Sequence, residues 1–292
     1  MNPVINKKVK SGSGNGINIQ QGDNTSYIYV CGIKPVREVY MDKNVTLMPV
    51  ISSPNPDDMI DCIMKNGNGN EFEMGVLIAT LRQVTAQLKI SASNSKELAI
   101  STWNAQHICI QISAMLNCEV AWYFQANDSA DNFNANTRLS MIYPNMYKFP
   151  NDLRVIDQEE CTYLEKYISI ALSLEDNDKF GNASNALWCY KMHFRPSVQL
   201  SILWGGIESL FLIERNIKRR LSLSASRFIC NNDDMVDEIR QLYEGRCKAV
   251  HELKSGKDNE LKDSINLLHK LICKCIEKNS VPDVDELLKN TL

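Results

Sequence analysis

From residue 157 onward the sequence repeats one pattern. Apolar residues recur three or four apart, and short connections carrying Asn, Asp or Gly interrupt them. The spacing predicts helices over 157–174, 180–193, 196–214, 217–230, 233–253 and 258–278, with a short tail helix over 283–290. Amphipathic helices joined so briefly bury their stripes against one another, so residues 155–292 read as an all-α helical domain.

The first half has a different rhythm. Residues 1–25, with "KKVKSGSGNG" and "QQGDN", hold too few apolar side chains to pack and are expected to form a flexible tail. Short β-branched and aromatic runs over 26–33, 37–41, 45–50 and 119–124 predict strands. A helix over 55–67 opens on Asn55 and Pro56, and a longer one spans 95–117. The stretch "FEMGVLIATLRQVTAQLKI" (72–90) is rich in Val, Ile and Thr and reads as strand, and 125–137 reads as loop. The prolines at 144 and 150 mark the expected crossing between a β-rich N-terminal domain, 26–150, and the helical one. The fold class is therefore α+β.

Composition narrows the function. A formal net charge of −3 excludes a general polycation for nucleic acid, though not a local basic patch. The ten cysteines mostly occupy apolar helical settings, and "MNPVINKKVKSGSGNG" contains no apolar signal region. Reduced, buried thiols in a cytoplasmic protein are the expectation. No apolar run reaches the ~18 residues of a membrane span, so no membrane association is predicted.

One helix breaks its own pattern. In 233–253 the apolar stripe comprises Met235, Ile239, Leu242, Tyr243, Ala249, Val250 and Leu253, and the position missing from its middle is Arg246. A guanidinium on a packed face requires a partner or an anion. Glu208, at the edge of the stripe of the 196–214 helix, is a carboxylate placed to meet it. Such a pair serves as scaffolding or as half of a phosphate site, and the residues alone leave both open. His251 lies ~140° around the helix from Arg246. Arg matches phosphate oxygens with paired donors, and His titrates near neutral pH. RNA supplies its own nucleophile, the 2′-hydroxyl, so a proton shuttle and charge stabilisation suffice without metal or cofactor. Because the two side chains diverge, pairing two copies of the helix across a twofold axis would gather them in one cleft.

The segment "YEGRCKAVHE" resembles the Arg-x4–6-His signature of HEPN-domain ribonucleases. The block from "RPSVQLSILWGGIESLFLIE" through "IKRRLSLSASRFI" to "IRQLYEGRCKAVHE" resembles the Apea-like HEPN subgroup over about residues 195–278. Its acidic residue before an apolar pair is matched by Glu208 in "IESLF". Its Tyr-x-x-Arg-Ser-x-x-Val-His-Gly segment is matched by Tyr243, Arg246, Val250 and His251, with Cys247 in place of Ser and Glu252 in place of Gly. The resemblance implies a HEPN-like bundle and a metal-independent, homodimeric endoribonuclease of bacterial antiphage or stress defence, under a regulatory or sensor partner. Arg246 and His251 would be catalytic, with Glu208, Tyr243 and Cys247 in support. The alternative is a silent HEPN module that binds RNA or nucleotide, or mediates assembly.

Other signals are weaker. "ERNIKRRLSLSASR" gathers Arg215, Lys218, Arg219, Arg220 and Arg227, and Arg219, Arg220 and Lys248 are the expected contacts to an RNA backbone. "HKLICKC" places His269 and Cys273 four apart, but no further ligand motif completes a metal site, so core packing is the expectation.

Overall fold

The computed structural model describes residues 16–66, 71–142, 150–251 and 258–289; the side chains of 66, 71–73, 248–251 and 258 fall outside that description. The chain is mixed α and β, with an N-terminal antiparallel sheet followed by helices. It forms two compact units, residues 1–112 with Cys118–Ser169, and Ser113–Asn117 with 170–292.

In the first unit, strands β1 (Thr25–Cys31), β3 (Val39–Asp42), β4 (Val45–Pro49), β5 (Val84–Ser91), β6 (Ala121–Ala126) and β7 (Leu139–Met141) make one sheet in the order β3-β4-β5-β1-β6-β7. Every pairing in it is antiparallel. β1 is central and buried on both faces: Ile28 and Val30 alternate with Tyr29 and Cys31, and none of the four is exposed. Tyr29, Cys31 and Phe124 pack with Met59 and Cys62 of α1 (Pro56–Asn66) and with Leu81 of α2 (Glu71–Leu81). α1 starts where its sequence says, with the Asn55 carboxamide oxygen accepting from the Asp57 amide at 3.0 Å. Gly32, at φ +89°, follows β1 where an added Cβ would stand 2.3 Å from the Glu119 carbonyl oxygen.

Three expectations are corrected. Residues 72–81 are helix rather than strand: Thr80 donates its hydroxyl to the Val76 carbonyl, and a turn with Gln83 N bonded to Thr80 O separates α2 from β5. A β-branched run shows no period of its own, and a single strand of that length would have been unusually long. Residues 16–24 of the expected tail are held in place. The Gly16 amide donates to the Met141 carbonyl at 2.8 Å, the Asn18 amide donates to the Gln125 side chain, and Arg138 grips both carboxylate oxygens of Asp23. Residues 1–15 lie outside the described residues. Finally, the first unit does not end at 150. β8 (Arg154–Ile156) pairs in parallel with β2 (Ile33–Pro35), and Glu165 of α4 (Gln158–Leu174) chelates the Arg37 guanidinium at 2.6 and 2.9 Å. Those bonds hold the N-terminal part of α4 in the sheet unit, and the division falls at Ser169.

The second unit contains the end of α3 (Ser95–Leu116) and helices α5 (Asp178–Cys189), α6 (Pro196–Phe211), α7 (Ile217–Cys230), α8 (Val236–His251), α9 (Asp258–Lys278) and α10 (Val284–Leu288). Its core is the α6 stripe Leu200, Leu203, Trp204, Ile207, Leu210 and Phe211, with Leu268, Leu271 and Ile272 of α9 and Ile239 of α8 also fully buried. No disulfide joins any of the ten cysteines, and burial pushes the Cys31 and Cys275 thiols up to about 12, so they behave as small hydrophobes. Among the described residues no helix is long and apolar enough to cross a membrane.

Candidate active site

The site is built on α6 and α8, with α9 as its support. α6 opens with Pro196 in its first turn and lies close against α5, because Gly206 has no side chain: a Cβ there would stand 2.6 Å from that of Ala186. Trp204 is fully buried and its indole N–H donates to the Ser264 hydroxyl of α9 at 3.1 Å. Ser264 in turn donates to the Glu260 carbonyl at 2.7 Å. A buried indole needs such an acceptor, and this one fixes the ring.

The fixed ring orders α8. Trp204 meets Tyr243 edge-on, with centroids 5.3 Å apart and planes at 85°. Arg246, three residues on and so on the same face, sets its guanidinium carbon 5.8 Å from the Tyr243 ring centre. Burial, and then the nearby Glu208 carboxylate, raises the Tyr243 phenol above its ordinary value.

Arg246 and Glu208 meet, but loosely. Nη2 lies 3.6 Å from the Glu208 Oε1, and the two side chains retain 19% and 33% of their exposure. A forked Arg–carboxylate bond would show two contacts of roughly 2.7–2.9 Å; at this separation the pair balances charge without a short hydrogen bond. Among the described residues Nη1 approaches only the Cys247 sulfur, at 3.9 Å, and Nε is buried with no hydrogen-bond partner. A guanidinium offers five N–H donors. Here ring packing holds it, and among the described residues most of them are unused, an arrangement able to accept a tetrahedral anion.

Of the expected residues, the fold therefore places Glu208, Tyr243, Arg246 and Cys247 together. α8 continues through His251, but the side chains of His251 and Lys248, and Glu252 altogether, lie outside the described residues. Arg219 and Arg220 stand in the first turn of α7. Their neighbour Lys218 pairs with Glu244 at 2.8 Å, joining that turn to α8 just ahead of Arg246.

Sequence reasoning missed two supports. One is the Trp204–Ser264 bond, which the need of a buried indole for an acceptor could have signalled. The other is Gly245, buried against Glu260: a Cβ there would lie 2.8 Å from the Glu260 carboxyl carbon. A glycine inside a helix, beside an arginine, was the available signal. The His269–Cys273 pair meets the end of α3. Its Nε2 lies 2.9 Å from the Met115 carbonyl and 3.3 Å from the Cys273 sulfur. A carbonyl only accepts, so Nε2 carries the proton, and the ring satisfies the last turn of α3.

Compared with known proteins, the chain matches no family model, no curated sequence and no solved structure.

Proposed function

We propose that the helical unit is a metal-independent endoribonuclease of the HEPN kind, working as a homodimer in bacterial antiphage or stress defence in the cytoplasm. The observation that carries this reading is Arg246: a guanidinium on a packed helix face, held by Tyr243, with its Nε unpartnered and its carboxylate neighbour too far for a short bond. A purely structural arginine would be expected to saturate its donors. In the proposed reaction Arg246 holds the scissile phosphate and offsets the charge that builds up as the 2′-hydroxyl attacks phosphorus. His251 moves the proton from the 2′-hydroxyl to the leaving 5′-oxygen. Glu208 keeps the guanidinium oriented until the phosphate replaces it, and Arg219, Arg220 and Lys248 follow the strand.

The products should carry 2′,3′-cyclic phosphate and 5′-hydroxyl ends, formed equally well in excess EDTA, and DNA should stay uncut. Incubation of the full chain with total RNA, followed by end-group analysis, tests this. Arg246→Ala and His251→Ala should each slow cleavage by ~10²-fold or more while leaving the thermal transition intact. Cleavage that persists in His251→Ala, or that EDTA abolishes, would overturn the mechanism. RNA that is bound through Arg246 but never cut would leave the silent RNA-binding module as the reading.

A further inference from the structure

A second cationic cluster lies in the helical unit and shares Arg220 with the proposed path of the strand. A cleft of about 700 Å³ runs between the end of α6, the first turns of α5 and α7, and the segment leading into α10. Small-molecule sites commonly span roughly 300–1,000 Å³. Three separate stretches each bring one cation to it: Lys179 from α5, Arg215 from the α6–α7 connection and Arg220 from α7. Among the described residues none of the three side chains is ion-paired, although Glu214, Asp283 and Asp285 also line the cleft. Asp283 is committed to α10, whose Asp285 and Glu286 amides its carboxylate accepts at 3.1 Å each.

Two further features favour an anionic ligand here. The first turn of α7 holds Lys218, Arg219 and Arg220 with no acidic residue and no side-chain cap, so cations sit at the positive end of the helix. Each such placement runs against the macrodipole. The lip of the cleft is Leu212, at φ +48° and 65% exposed, a conformation that favours Gly or Asn and an apolar side chain left in water. An anion would relieve the first feature, and an apolar group attached to it would cover the second.

We propose that this cleft binds a terminal phosphate, a phosphomonoester dianion, with the attached nucleoside lying against Leu212, Val281 and Pro282. Two or three cations match its charge, and the arginine forks match its tetrahedral oxygens better than they match a single carboxylate. The ligand is a free mononucleotide or the 5′-phosphorylated end of a strand. The inference does not depend on Arg246 cutting RNA.

Calorimetric titration of the full chain tests it with four probes: uridine, UMP, and a short RNA carrying either a 5′-hydroxyl or a 5′-phosphate. The phosphate should tighten binding at least tenfold in one pair or both. UMP binding as tightly as the phosphorylated strand identifies a free nucleotide, and a tenfold preference for the strand identifies its end. Lys179→Ala/Arg215→Ala should remove the phosphate preference with an unchanged circular-dichroism melt, and Arg246→Ala should retain it. No preference in either pair, a double variant that binds like the wild type, or loss in Arg246→Ala would each overturn the proposal. A protein that prefers the phosphate yet leaves RNA intact keeps this inference and loses the ribonuclease reading.

Discussion

At the scale of single residues, the Glu208–Arg246 pair separates scaffold from site. Both side chains stay partly hydrated and the contact is 3.6 Å, so neutralising the carboxylate should have a modest effect on folding. We expect Glu208→Gln to lower stability by no more than about 1 kcal/mol, the range of partly exposed ion pairs. It should also tighten RNA binding, because Glu208 competes with phosphate for the same donors. A loss of ~3 kcal/mol or more with unchanged RNA affinity would mark the pair as a buried scaffold instead. Tyr243 gives an independent readout. Its folded-state value is raised, by burial first and by the Glu208 charge second, so its contribution to stability is complete below the ordinary value of 10.0 and is lost as pH rises through the raised value. Glu208→Gln should therefore move the Tyr243 phenolate absorbance towards lower pH. The difference against Tyr243→Phe isolates that signal from Tyr27 and Tyr29, which shift the same way. A phenol that does not move would mean that the carboxylate does not face the ring in solution.

At the scale of helices, adjacent glycines in α6 make opposite predictions. A Cβ on Gly205 meets nothing within 4 Å, whereas one on Gly206 meets Ala186 at 2.6 Å and Leu268 at 3.3 Å. Gly205→Ala should raise stability by about 0.5–1 kcal/mol through helix propensity alone. Gly206→Ala gains the same propensity but wedges α5 from α6, and we expect a net loss of about 1–3 kcal/mol. Ala186→Gly should recover part of it, and additive melts in that double variant would show that the two helices do not pack at this point. The stripe of α6 was legible because Leu200, Leu203, Trp204, Ile207 and Phe211 keep the helical period. The role of Gly206 was not, since periodicity reports which face is buried and not how closely a neighbour approaches. The same limit hid α2: "GVLIATL" is apolar around its whole circumference, so β-branched content outweighed an absent period. Arg246 was legible for the converse reason, as a charge standing where a regular stripe called for a hydrophobe. Its contact with Glu208 followed from two stripes sharing one core. The Ser264 support did not, because pairing across helices is a tertiary fact.

At the scale of the whole molecule, the chain is two packing units whose limits the sequence showed only approximately. The prolines at 144 and 150 suggested a break, but no local pattern records that β8 pairs with β2 across the intervening chain, or that Glu165 reaches Arg37. Long-range pairs such as these decide where a unit closes. The proposed dimer would be a larger step of the same kind. By the period of a regular helix, positions 246 and 251 stand ~140° apart, which is why the proposed site gathers them from two copies of α8. Two copies across a twofold axis would gather both pairs in one shared cleft that draws on both protomers. The protein should therefore sediment as a dimer at micromolar concentration. A mixture of Arg246→Ala and His251→Ala chains should recover cleavage that neither variant has alone, because a mixed dimer contributes an intact arginine from one chain and an intact histidine from the other. Recovery should rise with the fraction of mixed dimer, to at most about half at equal mixing if protomers exchange at random. A strict monomer that still cleaves, or exchanged mixtures that stay inactive, would place both groups in one chain and refute the shared cleft.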